Sequence, residues 1–210
     1  MSRELVEGGF VLGTHHHTFT AIARCPRTGR LGIAVATGEL AVGGRVPFIQ
    51  ANVGAVGTQA YTDPRLGPLA LKLLDLGYPA ARVLSELQAS DPYTGHRQIG
   101  VVDRWGHTAV STGVDNSAWA GDRQGDGWIA MANAVVGAEV VDGMAAALAD
   151  AEPDVETRLM RAIAAGSRTA SVPPACSSTR PPGSPSSTCG STTTRIRRRS
   201  CVVCSTRSIR

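Results

Sequence analysis

The sequence predicts an α+β fold: a four-layer αββα sandwich, incomplete at its C-terminus, with two sheets face to face and helices outside each. Three observations lead there. The element order is strands, a helix pair, strands, then a second helix pair. The strands are rich in Ala and Gly, which lets sheets approach closely. The strict β–α alternation of a doubly wound sheet is absent, and no G-x-G-x-x-G or Walker motif follows a strand.

Residues 1–17 read as a polar, glycine-bearing extension. Thr18–Arg24 (TFTAIAR) alternates as a strand. Pro26-Arg27-Thr28-Gly29 is a turn signal, and Leu31–Thr37 (LGIAVAT) a strand buried on both faces. Val46–Gln50 and Val53–Thr58 are further short strands. Gly67–Gly77 carries Leu69, Leu73, Leu74 and Leu76 at helical spacing, with Gly77 suited to the C-cap. Pro79–Ala89 sets Ala80, Val83, Leu84 and Leu87 on one stripe. Gly95–Asp103 and His107–Gly113 read as a strand pair around Arg104-Trp105-Gly106, and Trp128–Asn133 as another strand. Glu139–Asp150 turns Val141, Met144 and Leu148 inward. Asp154–Ala165 does the same with Val155, Leu159 and Ile163, and Asp154 sits near its positive end.

With 210 residues and 42% apolar composition, the chain can build a real core. No run of eighteen apolar residues exists, so a membrane-spanning helix is not expected. No secretory leader is read at the N-terminus, and a cytoplasmic location is expected. Aromatic residues make up 4%, which argues against a base-stacking nucleic-acid platform.

The net charge of +4 hides a split. All 17 acidic residues and 13 of the 21 basic ones lie in residues 1–166, whereas residues 167–210 hold eight Arg and no acid. That tail also holds 18 Ser or Thr, five Pro and four of the five Cys. It can be read as a basic solvated arm, as a metal or redox module around the Cys201–Cys204 C-x-x-C, or as sequence translated out of frame. The third reading is favoured. Ser187–Arg197 (STCGSTTTRIR), read one base earlier with GC-rich codons, can encode VDLRVDYHEDP, a strand followed by a turn. The expected division is therefore an extension at 1–17, a domain at 18–166, and a disordered tail at 167–210 after a frame change near Gly166–Ser167.

The run TFTAIARCPRTGRLGIAVAT resembles the opening of the N-terminal-nucleophile (Ntn) hydrolases. More closely, AVGGRVPFIQANVGAVGTQAYTDPRLGPLALKLLDLG, HRQIGVVD, WAGDRQGDGW and NAVVGAEVVDGMAAAL resemble the bacterial family called domain of unknown function 1028, over about Thr18–Gly166. That family typically ends in a strand like VDLRVD and a helix like DPIAELRRLL, similar to what the alternative frame encodes.

The resemblance implies an Ntn-like sandwich and a hydrolase of a small amide or peptide, with no cofactor or metal and a homo-oligomer, most simply a dimer. In an Ntn hydrolase the side-chain oxygen of residue one attacks an amide carbonyl and its own α-amine takes the proton. That amine titrates near pH 7.7–8.0, which suits roughly neutral operation. The resemblance places Thr18 at the nucleophile's position. In this chain Thr18 follows His17, and its nitrogen is an amide until that bond is cut. Asn133 stands where the family has Gly-Asn and is read as an oxyanion donor or as a turn residue. Thr58 and Gln59, in the family's T-Q-A-Y, are read as substrate contacts or as loop support. Arg97, in its R-Q, is read as a carboxylate ligand or a structural ion pair. After Trp119-Ala120-Gly121 the family often has His, and this chain has Asp122. The alternative function is a non-catalytic small-ligand-binding or assembly protein on the same fold, and neither a nucleic-acid nor a membrane partner is expected.

Overall fold

The computed structural model describes residues 5–6, 10–11, 17–116, 119–151, 154–169 and 200–205. The strands are β1 (Leu5–Val6), β2 (Phe10–Val11), β3 (Thr18–Arg24), β4 (Leu31–Thr37), β5 (Pro47–Gln50), β6 (Gly54–Ala60), β7 (Arg97–Asp103), β8 (Thr108–Thr112), β9 (Trp119–Gly125), β10 (Trp128–Val135) and β11 (Ser200–Ser205). The helices are α1 (Leu66–Asp75), α2 (Ala80–Ser90), α3 (Glu139–Ala149) and α4 (Val155–Thr169). The fold is α+β. One antiparallel sheet runs β11-β4-β3-β10-β9, the other β5-β6-β7-β8, and β1 pairs with β2.

Alternation along β3 organises the first sheet. Phe19, Ala21 and Ala23 turn to α3 and α4 and pack in one cluster with Met144, Leu148 and Leu159. Ile22 turns the other way, into a cluster shared by both sheets that holds Ile33, Val35, Ile129, Met131, Ala55 and Val102. In the second sheet Val56, Ile99 and Val101 turn to α1 and α2, against Leu74, Val83 and Leu87. Burying each large aliphatic side chain contributes about 1.5–3 kcal/mol. The small residues divide by face. Alanines of β3, β4 and β10 lie under α3 and α4, while Gly57 looks across to the opposite sheet. A Cβ on Gly57 would stand 2.6 Å from Met131 Cε, so the absent side chain leaves the notch that Met131 fills.

The helical stripes match the sequence reading in α2, α3 and α4. In α1 the reading holds for Leu74 but not for Leu69 and Leu76, which are 41% and 68% exposed; Leu66 and Ala70 complete the packing face. Gly77, at φ 94°, ends α1 with its N–H on the Leu74 carbonyl at 3.0 Å. Strand β9 is additional. Its sequence WAGDRQG is polar and glycine-bearing, and pairing with β10 fixes it rather than its own propensity. Of the tail read as disordered, residues 167–169 extend α4 and Ser200–Ser205 pairs with β4 from Thr37 to Gly32. Cys176 and Cys189 lie outside the described residues.

Candidate functional site

Strand β3 begins at Thr18, between two partners. In register Thr18 faces Thr37 of β4 on one side and Asn133 of β10 on the other. The hydroxyls of Thr18 and Thr37 are 2.9 Å apart. Thr37 Oγ1 also accepts the Glu39 N–H at 3.1 Å. One step deeper, the Thr20 hydroxyl donates to Gln59 Oε1 across the inter-sheet space. Gln59 Nε2 donates to Gln98 Oε1 at 2.6 Å, and Asn133 Nδ2 donates to the same oxygen at 3.2 Å. Gln98 Nε2 faces Thr112 Oγ1 at 2.8 Å, the Gly121 carbonyl at 3.0 Å and the Ala132 carbonyl at 3.1 Å. The Thr112 hydroxyl donates to Asp122 Oδ2 at 2.5 Å. Thr18, Thr20, Thr37, Gln59, Gln98 and Asn133 are all at most 6% exposed.

The direction of each amide follows from its neighbours. Two carbonyl oxygens can only accept, so the atom of Gln98 facing Gly121 and Ala132 is its nitrogen. Gln98 Oε1 is then the acceptor for Gln59 and Asn133, and Gln59 Oε1 is left to accept from Thr20. One N–H of Asn133 is thereby assigned to Gln98, and its amide is fixed at the level of Thr18. The inter-sheet space thus has an apolar part around Met131 and a neutral polar part at the head of β3.

The expected site residues separate. Thr18 and Asn133 come together, and Gln59 joins Asn133 through Gln98. Thr58 points to the opposite face of β6, where its hydroxyl lies 2.5 Å from that of Thr62 and 3.4 Å from the Arg45 carbonyl. Adjacent strand residues face opposite sides, so Thr58 and Gln59 do not share one cleft. Arg97 donates to Asp91 at 2.8 Å and to the Tyr61 carbonyl, and lies 5.8 Å above the Tyr93 ring. Burial pushes the Asp91 carboxyl up, but hydrogen bonds from Arg97 and the Tyr93 N–H outweigh it and hold it below its usual range. Among the described residues no group of three or more His, Cys, Asp or Glu is set to hold a metal ion. Nor is any helix among them long and apolar enough to cross a membrane.

Sequence reasoning passed over Thr20, Thr37 and Thr112 and gave Gln98 no site role. Thr18 and Thr20 share the parity of Ile22, so alternation alone places both hydroxyls on the inter-sheet face.

The other end of β3 carries different chemistry. A cleft of about 290 Å³ opens there, lined by Arg24, Trp105, Asp126, Trp128 and Arg158 among others. A second, shallow depression lies along α4 beside Met160. Neither reaches Thr18. Between Arg24 and the cleft's Pro26, Cys25 is 6% exposed. Burial pushes its thiol up, yet hydrogen bonds from Thr28 and Arg27 and the Arg27 charge leave it below its ordinary value.

Comparison with known proteins gives a family and similar solved structures. A crystal structure of the protein SPO2555 from Silicibacter pomeroyi, itself of DUF1028, is similar with a TM-score of 0.70 and 29% identity, covering 73% of this chain and 69% of that one. No curated protein matches. The model for a "family of unknown function (DUF1028)" matches residues 18–170, so the match starts at the threonine that heads the central strand. With most of its length in that match, the chain belongs to the family of unknown function DUF1028.

Proposed function

We propose that the chain is an amide or peptide hydrolase of the N-terminal-nucleophile class, with Thr18 as nucleophile once the His17–Thr18 bond is cut. The two helix-covered sheets are then the four-layer αββα sandwich of that class. One observation carries the reading: Thr18 heads a central strand with its hydroxyl 2.9 Å from Thr37 and the fixed amide of Asn133 opposite it in register.

The chemistry follows from these groups. Thr18 Oγ1 attacks the substrate carbonyl, and its proton passes to the Thr18 α-amine. The tetrahedral oxyanion takes the second N–H of Asn133, a donor worth about 3 kcal/mol in such a role. The amine leaves with the proton, an ester to Thr18 remains, and water attacks it to release the acid. Thr37 orients the hydroxyl, and the amide chain behind Asn133 holds the donor still.

The test begins with intact mass and N-terminal sequencing of the purified chain. A species starting at Thr18 is expected, and so is its covalent labelling by a β-lactone probe. Thr18→Ala removes both, whereas Thr18→Ser retains them. A chain that keeps residue 17 and takes no label overturns the reading. It favours instead a non-catalytic small-ligand-binding or assembly protein, for which the 6% exposure of Thr18 speaks.

We further infer that the frame changes near Gly166. The family match stops at residue 170, while the acid-free stretch continues to Arg210. Sequencing the coding DNA across that point decides it: an intact single frame refutes the inference.

A further inference from the structure

The cleft at the turn end of the sheets holds a cation that the fold does not neutralise. Arg158 is 3% exposed. Its terminal nitrogens donate to backbone carbonyls, of Arg24 at 3.3 Å and of Leu148 at the end of α3. Its buried Nε–H has no partner. Among the described residues no carboxylate pairs with it, since Asp150, the nearby acid, bonds Arg161 at 3.4 Å. Burial draws the Arg158 guanidinium below its ordinary value, against the pull of Cys25 and Asp150. A guanidinium nevertheless stays protonated, and an unpaired buried charge is costly. Its position in the first turns of α4 adds repulsion from the positive helix end.

A second guanidinium faces the same space. Arg24 gives its Nε–H to the Arg104 carbonyl at 2.7 Å, and no carboxylate among the described residues pairs with it. The turns that meet here are held rigidly. Asp103 Oδ1 accepts the N–H groups of Trp105 at 2.9 Å and Gly106 at 3.0 Å. Gly127, in the left-handed region at φ 70°, joins the Gly106 carbonyl at 3.0 Å and the Arg24 N–H at 2.8 Å. Trp105 and Trp128 add flat apolar walls, and Asp126 lies on the exposed rim.

We propose that this cleft binds a small organic anion, its carboxylate or phosphate head between Arg24 and Arg158 and its flat body against Trp105 and Trp128. Two guanidiniums outnumber the rim carboxylate, and the volume of about 290 Å³ suits a small ligand. The site is independent of the Thr18 reading, at the far end of β3.

Benzoate, phenyl phosphate and the neutral benzyl alcohol are titrated into the full chain, with tryptophan fluorescence and calorimetry as readouts. At least one anion is expected to bind with a dissociation constant below about 1 mM, with the alcohol at least about tenfold weaker. The tighter anion names the head group. Arg24→Gln, which leaves the carbonyl contacts of Arg158 in place, is expected to weaken binding about tenfold or more with an unchanged circular dichroism spectrum. Absence of binding by both anions, equal binding of the alcohol, or an unaffected Arg24→Gln chain each overturns the proposal.

Discussion

Arg97 and Arg158 are both withdrawn from solvent, one near each end of β7, and the fold treats them differently. The Arg97 side chain is 12% exposed and meets the Asp91 carboxylate at 2.8 Å, itself 7% exposed. Arg158 is more deeply buried and meets only carbonyls, with its Nε–H unpartnered. At the same end of the sheets, on the inter-sheet face, the polar groups bond one another from Thr20 through Gln59 and Gln98 to Asp122. A network whose buried members bond one another specifies a structure without demanding anything further. An unpaired buried cation does demand something, and the difference separates a positioning end of the molecule from a ligand-seeking one.

The largest expected effect tests the positioning end as catalytic machinery. Thr18→Ala is expected to lower amide hydrolysis about 10³-fold or more, read by turnover of a fluorogenic amide panel. Turnover that persists in the variant removes the chemistry from that end.

Gln98→Leu comes next. It strands an N–H each on Gln59 and Asn133 and removes the donor that reaches Thr112 and the Gly121 and Ala132 carbonyls. At about 1–3 kcal/mol per unsatisfied buried group, a loss of about 4 kcal/mol in urea unfolding is expected. A loss below about 1 kcal/mol would contradict that mutual bonding.

Asp91→Asn breaks the comparison directly, because it gives Arg97 the unpaired status of Arg158. A cost of about 2 kcal/mol is expected at neutral pH. The folded Asp91 carboxyl titrates below its unfolded value. Its contribution is therefore complete above about pH 4 and declines as pH falls through the folded value. The gap between the two chains is expected to close on acidification, and a gap constant down to pH 2 contradicts the pairing.

The smallest effect lies at the ligand-seeking end. Arg30 pairs with Glu156 there, with side chains 33% and 32% exposed. Glu156→Gln is expected to cost less than about 1 kcal/mol, because solvent screens such a pair. A larger loss would place fold-critical charge pairing at both ends.

The apolar parts of this fold were legible because they repeat. Val155, Leu159 and Ile163 announce the buried stripe of α4, and Phe19 and Ile22 announce the two faces of β3. The polar network was not, because its members come from strands far apart in sequence and meet only when the sheets stack. Thr20 and Gln59 are 39 residues apart, as are Gln59 and Gln98. Strand β9 was missed for a related reason: WAGDRQG carries no period of its own. Arg158 did leave a trace. It stands three residues after Val155 and four before Ala162, inside the helix's apolar stripe, where a charged residue needs an explanation.

The central position of β3 has a mechanical consequence. Thr18 is held by ladders on both flanks, to Thr37 and to Asn133, and six further residues of the strand are tied to β4 behind it. Severing the backbone just ahead of that residue removes a tether on one side only. The new ammonium would stay registered beside its own hydroxyl, so a nick there reshapes chemistry without reshaping the sheet.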